Sequence, residues 1–163
     1  MQIGEPAPQL DLQAVATGRR FDLGLYHDRT VLLIFVSAFE ARSTRDVVIP
    51  IRQQFPEFNR LPIAIIINLK PVPKLLRTTV SSFMEAAYRE AAADVPPGFN
   101  PADHLILLPD WTGAVTNKYG INHSKAGMYL LVIGRGNKLT GAFHGPEATN
   151  RAINLIRTIN DAA

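Results

Sequence analysis

The stretch TVLLIFVSAFEARSTRD, residues 30–46, decides the fold, because it turns from an apolar run into a charged one within a few residues. Residues 30–37 are mostly large and apolar without alternation, which is typical of a strand buried on both faces. Residues 40–46 are almost all polar and precede a segment with helical spacing. A buried strand that enters a helix through a short polar corner is where α/β proteins usually place functional residues.

The same alternation of strands and helices continues outward from this stretch. Continuous apolar runs predict further strands at 62–68, 104–108 and 128–133, and GRGN before residues 138–144 indicates a hairpin. Helical spacing predicts a helix from residue 45 that Pro50 either kinks or limits, a helix over 74–93 and a C-terminal helix whose first turn holds Pro146. The long helix would bury one apolar face, made of Leu76, Val80, Phe83, Met84 and Tyr88.

The N-terminal region alternates apolar and polar residues on both sides of a turn near Ala16–Gly18, which predicts a short β-hairpin. Together these elements predict a central mixed sheet with helices on both faces, as one domain spanning residues 1–163.

The composition excludes several classes of function. The chain has 47% hydrophobic residues and a net charge of only +3, with its basic residues scattered, so we expect no nucleic-acid interface. No apolar run reaches the roughly 18–20 residues that a membrane span needs, and no signal peptide is visible, so we expect a cytoplasmic protein. The four histidines, His27, His104, His123 and His144, are too dispersed for a metal site, and no cofactor is expected.

The absence of cysteine is the most informative feature of the composition. With 0 Cys the chain itself forms no disulfide, binds no metal through a thiolate and supplies no thiolate nucleophile.

Two motifs give the chain a resemblance to a known family. Residues 4–10, GEPAPQL, match an opening G-[DE]-x-A-P-x-[FL] pattern, and Asp110, Gly113, Tyr119 and Gly120 match a later D-x-x-G…YG pattern. The chain therefore resembles the thioredoxin fold in its redoxin/peroxiredoxin (AhpC/TSA) branch over almost its whole length. This resemblance implies a thioredoxin-like three-layer sandwich, with a mixed sheet between helices and an N-terminal β-hairpin.

The resemblance also places the family's active site on the corner, where its residues are missing. The family motif P-x-x-x-T-x-x-C aligns with Val36, Glu40 and Ser43, and the activating arginine aligns with Met128, or with Gly127. A thioredoxin-style C-x-x-C would fall on Glu40 and Ser43, and the usual cis-proline on residues 127–128. A serine hydroxyl is protonated near neutral pH and cannot replace a thiolate. Because the Thr, Pro and Arg are missing too, the loss looks native and not an engineered Cys→Ser trap.

Other interpretations of the corner remain open. Ser43 with His123 and Glu40 could form a hydrolytic triad, but Ser43 or Thr44 could instead cap the helix while His123 lies on a surface loop. A basic set at the strand ends is either a solvated rim or a binding patch; it comprises Arg42, Arg45, Lys70, Lys74 and Arg77. The proline-rich segment 94–103 is either a contact element or a connector.

These observations favour a catalytically inactive redoxin-like domain that acts as a protein-binding or assembly module. Partner binding or self-association is expected through residues 38–46 and 121–128, and the binding candidates are Glu40, Arg42, Arg45, His123 and Lys125. The alternative is a thiol peroxidase or oxidoreductase, which the family resemblance implies.

Overall fold

A computed structural model describes residues 1–57, 60–122 and 127–161. Within these ranges the strands are β1 (Leu12–Gln13), β2 (Arg20–Phe21), β3 (Val31–Ser37), β4 (Ile63–Asn68), β5 (Ile106–Asp110), β6 (Tyr129–Gly134) and β7 (Lys138–His144). The α-helices are α1 (Thr44–Gln54), α2 (Arg77–Ala93), α3 (Pro101–His104), α4 (Ala114–Lys118) and α5 (Ala148–Asp161).

Five strands form a mixed sheet in the order β5-β4-β3-β6-β7, and β1 and β2 form a separate antiparallel hairpin. Strand β3 is central: it runs parallel to β4 and antiparallel to β6. Its residues 31–36 are completely buried, as the apolar run 30–37 predicts. The predicted mixed sheet and N-terminal hairpin are therefore confirmed.

The two faces of the sheet are covered by different elements. The odd-numbered residues of β3, such as Leu33 and Phe35, face the cluster that contains Val115 of α4 and residues from the N-terminal region. The even-numbered residues, such as Leu32 and Ile34, face α1 and α5. Because side chains of a strand alternate between faces, one strand of apolar residues supports both layers. The sheet therefore lies between helices on both faces, as predicted.

Strand β5 lies two residues further along the chain than the prediction of 104–108. The side chain of Asn100 accepts a hydrogen bond from the Ala102 N–H and so caps the short helix α3, which takes residues 101–104 out of the strand. Pro109 is accommodated within β5 because this strand is at the edge of the sheet, where a missing N–H donor is tolerated. The segment 94–103 is therefore not a plain loop.

Helix α2 buries less than the sequence predicts. Tyr88 is buried and Val80 and Met84 are half-buried, but Phe83 is 66% exposed and Leu76 is 50% exposed. The prediction that this apolar face is buried along its whole length is wrong: Val80 and Met84 pack against a small apolar cluster near the ends of the strands, while Phe83 and Leu76 remain exposed. Helix α5 also differs from the prediction, since it begins after Pro146.

Candidate functional site

The corner that follows β3 is a tight, ordered connection. A 3-10 turn over Ala41–Ser43 joins the end of β3 to α1. Because β3 and β4 are parallel and adjacent, the segments that follow them lie at the same end of the sheet. The Ala38 N–H donates to the Asn68 carbonyl at 3.2 Å. We call residues 37–46 the corner.

Glu40 fastens the corner to the segment before β6. Its Oε2 accepts a hydrogen bond from the Ser37 hydroxyl at 2.9 Å, and its Oε1 accepts one from the Gly127 N–H at 2.8 Å. Hydrogen bonds to a carboxylate are shorter and stronger than neutral ones. Both carboxylate oxygens thus have partners within the chain, so Glu40 holds the corner to the segment before β6; its role in binding a partner stays a prediction.

Apolar side chains occupy the positions where the resemblance expects proline and arginine. Val36 is completely buried and forms a small cluster with Ile67 and Leu69, and Met128 packs against this cluster. We call it the edge cluster. No cationic side chain stands at either position, so neither provides the charge that would lower the pKa of a nucleophile.

The Ser43 side chain makes no capping contact. Ser43 is exposed, and its hydroxyl makes no hydrogen bond to the start of α1, while the Thr44 hydroxyl donates to the Ala41 carbonyl at 2.7 Å. The predicted capping role of Ser43 or Thr44 is therefore wrong, because the 3-10 turn already orders this end of the helix. His123 and Lys125 lie outside the described residues, and because both links of a triad run through its histidine, the triad stays a hypothesis.

The basic residues of the corner and of the segment after β4 lie at the end of the sheet where β3 and β4 finish. Arg45 on α1 lies 3.6 Å from the Glu90 carboxylate on α2, which links the two helices. The Arg77 guanidinium lies 5.3 Å from the centre of the Trp111 ring, a cation–π geometry. Topology places the remaining members of the predicted basic set, Arg42, Lys70 and Lys74, on the same two segments.

Phe39 was missed by sequence reasoning and is the most unusual residue of the corner. Its side chain is 87% exposed, although it lies between the buried strand β3 and the 3-10 turn over Ala41–Ser43. The signal was available, because Phe39 is a large apolar residue among polar ones. The partnership of Glu40 with Gly127 had no such signal, because it joins residues far apart in sequence.

The D-x-x-G segment has a structural role. Asp110 is 1% exposed, and its Oδ2 accepts hydrogen bonds from both the backbone N–H and the hydroxyl of Thr116, each at 2.8 Å. Gly113 adopts a positive φ of 72°, and a Cβ there would lie 3.0 Å from the Lys70 Cδ. This segment therefore fixes the turn between β5 and α4 and the stem of Lys70.

Among the described residues, no group of three or more His, Asp or Glu side chains could hold a metal ion. No helix within the same residues is long and apolar enough to cross a membrane.

Comparison with known proteins identifies the fold. No protein-family profile matches the chain, and no curated protein sequence matches it. The C-terminal domain of a protein described as a thiol-disulfide oxidoreductase from Bacteroides thetaiotaomicron aligns with a TM-score of 0.66 and 14% identity, covering 99% of this chain and 98% of that domain. A protein described as the thiol:disulfide interchange protein DsbE from Chlorobium tepidum aligns with a TM-score of 0.65 and 15% identity over 98% of both chains.

A protein described as a protein disulfide isomerase from Bacteroides thetaiotaomicron gives a TM-score of 0.66 at 16% identity, covering 98% of this chain and 90% of that one. At these identities the likeness shows the fold, which is thioredoxin-like. The thioredoxin-like part of the resemblance is confirmed, and the AhpC/TSA branch stays a prediction.

Proposed function

We propose that this chain is a thioredoxin-like domain without thiol redox chemistry, and that it binds protein through the corner and the neighbouring residues 127–128. The three structural neighbours are described as thiol-disulfide enzymes, whose chemistry begins with a protein thiolate. This chain has 0 Cys, and its hydroxyl at position 43 forms neither a disulfide nor a sulfenic acid. The oxidoreductase alternative therefore has no nucleophile within this chain.

The observation that carries the proposal is the exposed Phe39 on a corner that Glu40 holds in place. A large side chain that is 87% exposed contributes little to folding, whereas a preorganised aromatic group is a frequent source of binding energy at protein interfaces. The two hydrogen bonds of Glu40 limit the conformational freedom that the corner would otherwise lose on binding. Arg42 and Arg45 add guanidinium groups that can pair with carboxylates.

The test is a comparison of charge reversals at two ends of the sheet. Arg42→Glu with Arg45→Glu changes the corner, while Arg135→Glu with Lys138→Glu is the matched control, because both residues are exposed at the β6–β7 turn. Immobilised wild type and variants capture proteins from native extract, and light scattering measures self-association.

We expect the corner variant to lose capture or self-association at least about tenfold, equivalent to 1.4 kcal/mol, and the control to behave as wild type. Equal behaviour of both folded variants and the wild type would contradict the proposal. Activity of the wild type in peroxide consumption or disulfide reduction, above a control without protein, would contradict its redox part.

A further inference from the structure

Exposed large apolar side chains are concentrated on two adjoining segments. Nine such side chains are exposed among the described residues, and five of them lie on the corner, on α1, on the segment that leads into α2, or on α2 itself. Their exposed fractions are Phe39 87%, Ile49 49%, Leu75 93%, Leu76 50% and Phe83 66%. Single exposed apolar residues are normal, but a group of this size marks an interaction surface.

The edge cluster brings these segments together. Ala38 and Ala41, which flank Phe39, pack against the edge cluster. Val72 and Val80, which flank Leu75 and Leu76 in sequence, pack against the same cluster. Phe39, Leu75 and Leu76 therefore lie beside residues that fill one small apolar centre.

The ion pair between α1 and α2 extends the surface along the helices. Arg45 and Glu90 face each other at 3.6 Å. Ile49 is one turn after Arg45, and Phe83 is two turns before Glu90, so each shares a helix face with a member of the pair. We call the surface formed by Phe39, Ile49, Leu75, Leu76 and Phe83 the apolar stripe.

The charges beside the apolar stripe are mainly positive. Arg42, Lys70, Lys74 and Arg77 lie on the corner or on the segment that enters α2. The acidic residues on the same segments are Glu40 and Asp46, so the cations outnumber them. Helix α2 begins with no acidic residue in its first turn and no side-chain cap, so its dipole adds to the positive potential.

The orientation of the Arg77 side chain is limited by an aromatic ring. Its guanidinium is held against Trp111, and its Nε is buried without a hydrogen-bond partner among the described residues. A cation stacked on an aromatic ring keeps its geometry while its remaining N–H groups bind a carboxylate.

We propose that the apolar stripe binds an acidic peptide segment that carries large apolar side chains, whose carboxylates pair with Arg42, Lys74 and Arg77. This inference rests on the proposed function and names its partner class. A short peptide is favoured over a lipid surface because Glu85 and Glu90 lie roughly two and four turns beyond Arg77 on α2. A short peptide can confine its carboxylates to the basic end of the stripe, whereas an anionic bilayer would also meet these two glutamates.

The test uses short fluorescein-labelled peptides and fluorescence anisotropy. The probe peptide alternates Leu and Phe with Glu, and the matched peptide has Lys in place of every Glu. We expect the acidic peptide to bind wild type at least about tenfold more tightly than the basic one, and to weaken when NaCl is raised. Phe39→Ala with Leu75→Ala should weaken acidic-peptide binding at least about tenfold.

The control variant is Ile3→Ala with Leu25→Ala, which removes two apolar side chains that are 71% and 68% exposed elsewhere on the chain. It should bind the acidic peptide as the wild type does. Equal binding of the two peptides, or unchanged binding by the stripe variant, would overturn the partner class. Binding to phosphatidylserine-containing vesicles that displaces the acidic peptide would also overturn it, because the occupant would be a membrane.

These outcomes are distinguishable from failure of the proposed function. If the acidic peptide does not bind but Arg42→Glu with Arg45→Glu still abolishes capture, the chain binds protein and only the partner class is wrong. If the charge reversal also leaves capture and self-association unchanged, both proposals fail.

Discussion

Removal of the Glu40 carboxylate is the sharpest test of how the corner is held. In Glu40→Ala the Ser37 hydroxyl and the Gly127 N–H both lose their acceptor. A hydrogen bond to a charged group contributes about 1.5–3 kcal/mol when it is well buried. Glu40 is only half-buried, so water replaces part of each bond, and we expect the free energy of unfolding to fall by about 2 kcal/mol in total.

The assay is urea unfolding followed by circular dichroism, together with a thermal melt. A loss of about 2 kcal/mol corresponds to a fall in Tm of about 4–8 °C for a chain of this size. Hydrogen exchange gives a local measurement, because the amide of Gly127 should exchange at least about tenfold faster once its acceptor is gone. Glu40→Gln keeps one carbonyl acceptor and should lose only about half as much stability.

Glu85→Ala is the matched control, since it removes one exposed carboxylate from the surface of α2. It should leave the free energy of unfolding within about 0.5 kcal/mol of wild type. If Glu40→Ala is as stable as this control and the Gly127 amide exchanges at the wild-type rate, Glu40 does not fasten the corner and the reasoning fails.

Three further predictions follow from other contacts. Burial, and to a smaller extent the charge of Arg52, lower the pKa of His104, so the imidazole resists protonation in the folded protein. The free energy of unfolding should therefore fall as the pH drops below about 6.5, by at most about 1.4 kcal/mol per pH unit. His104→Gln should flatten this dependence, and equal slopes for variant and wild type would contradict the prediction. Tyr119→Phe removes the hydroxyl that donates to the Pro8 carbonyl at 2.6 Å and should lower the free energy of unfolding by about 1 kcal/mol in urea titrations; no loss would mean that this bond contributes nothing. Ser43→Cys should react with peroxide no faster than free cysteine in a stopped-flow assay, because Met128 and Glu40 stand where the family resemblance expects the arginine and threonine that activate the thiolate and orient the peroxide. A rate higher by orders of magnitude would show that the pocket is intact.

The fold could be predicted from the sequence wherever the pattern was long and uniform. The continuous apolar run predicts strand β3, and the helical spacing predicts helix α5. The structure confirms both elements. The start of β5 was misplaced because Asn100 caps α3, a local side-chain contact that competes with strand formation.

The site was less predictable because its key contacts are not local. The bond from the Gly127 N–H to Glu40 depends on the tertiary fold, which brings the segment before β6 to the corner. The exposure of Phe83 could not be read from its helical spacing, because spacing shows which residues share a face but not whether another element covers that face.

The N-terminal segment imposes a constraint on the order of folding. Gly4 and Ala7 donate backbone hydrogen bonds to the carbonyls of Leu139 and Asn137, so the first residues line the outer edge of β7. The central strand β3 likewise needs β6, from the far half of the chain, as its second neighbour. Such a topology has a high contact order, since the entropy of closing long loops is lost before the pairing compensates it. During synthesis, β3 therefore has one unpaired edge until β6 has been made, and we expect β3 to be the segment that a chaperone protects.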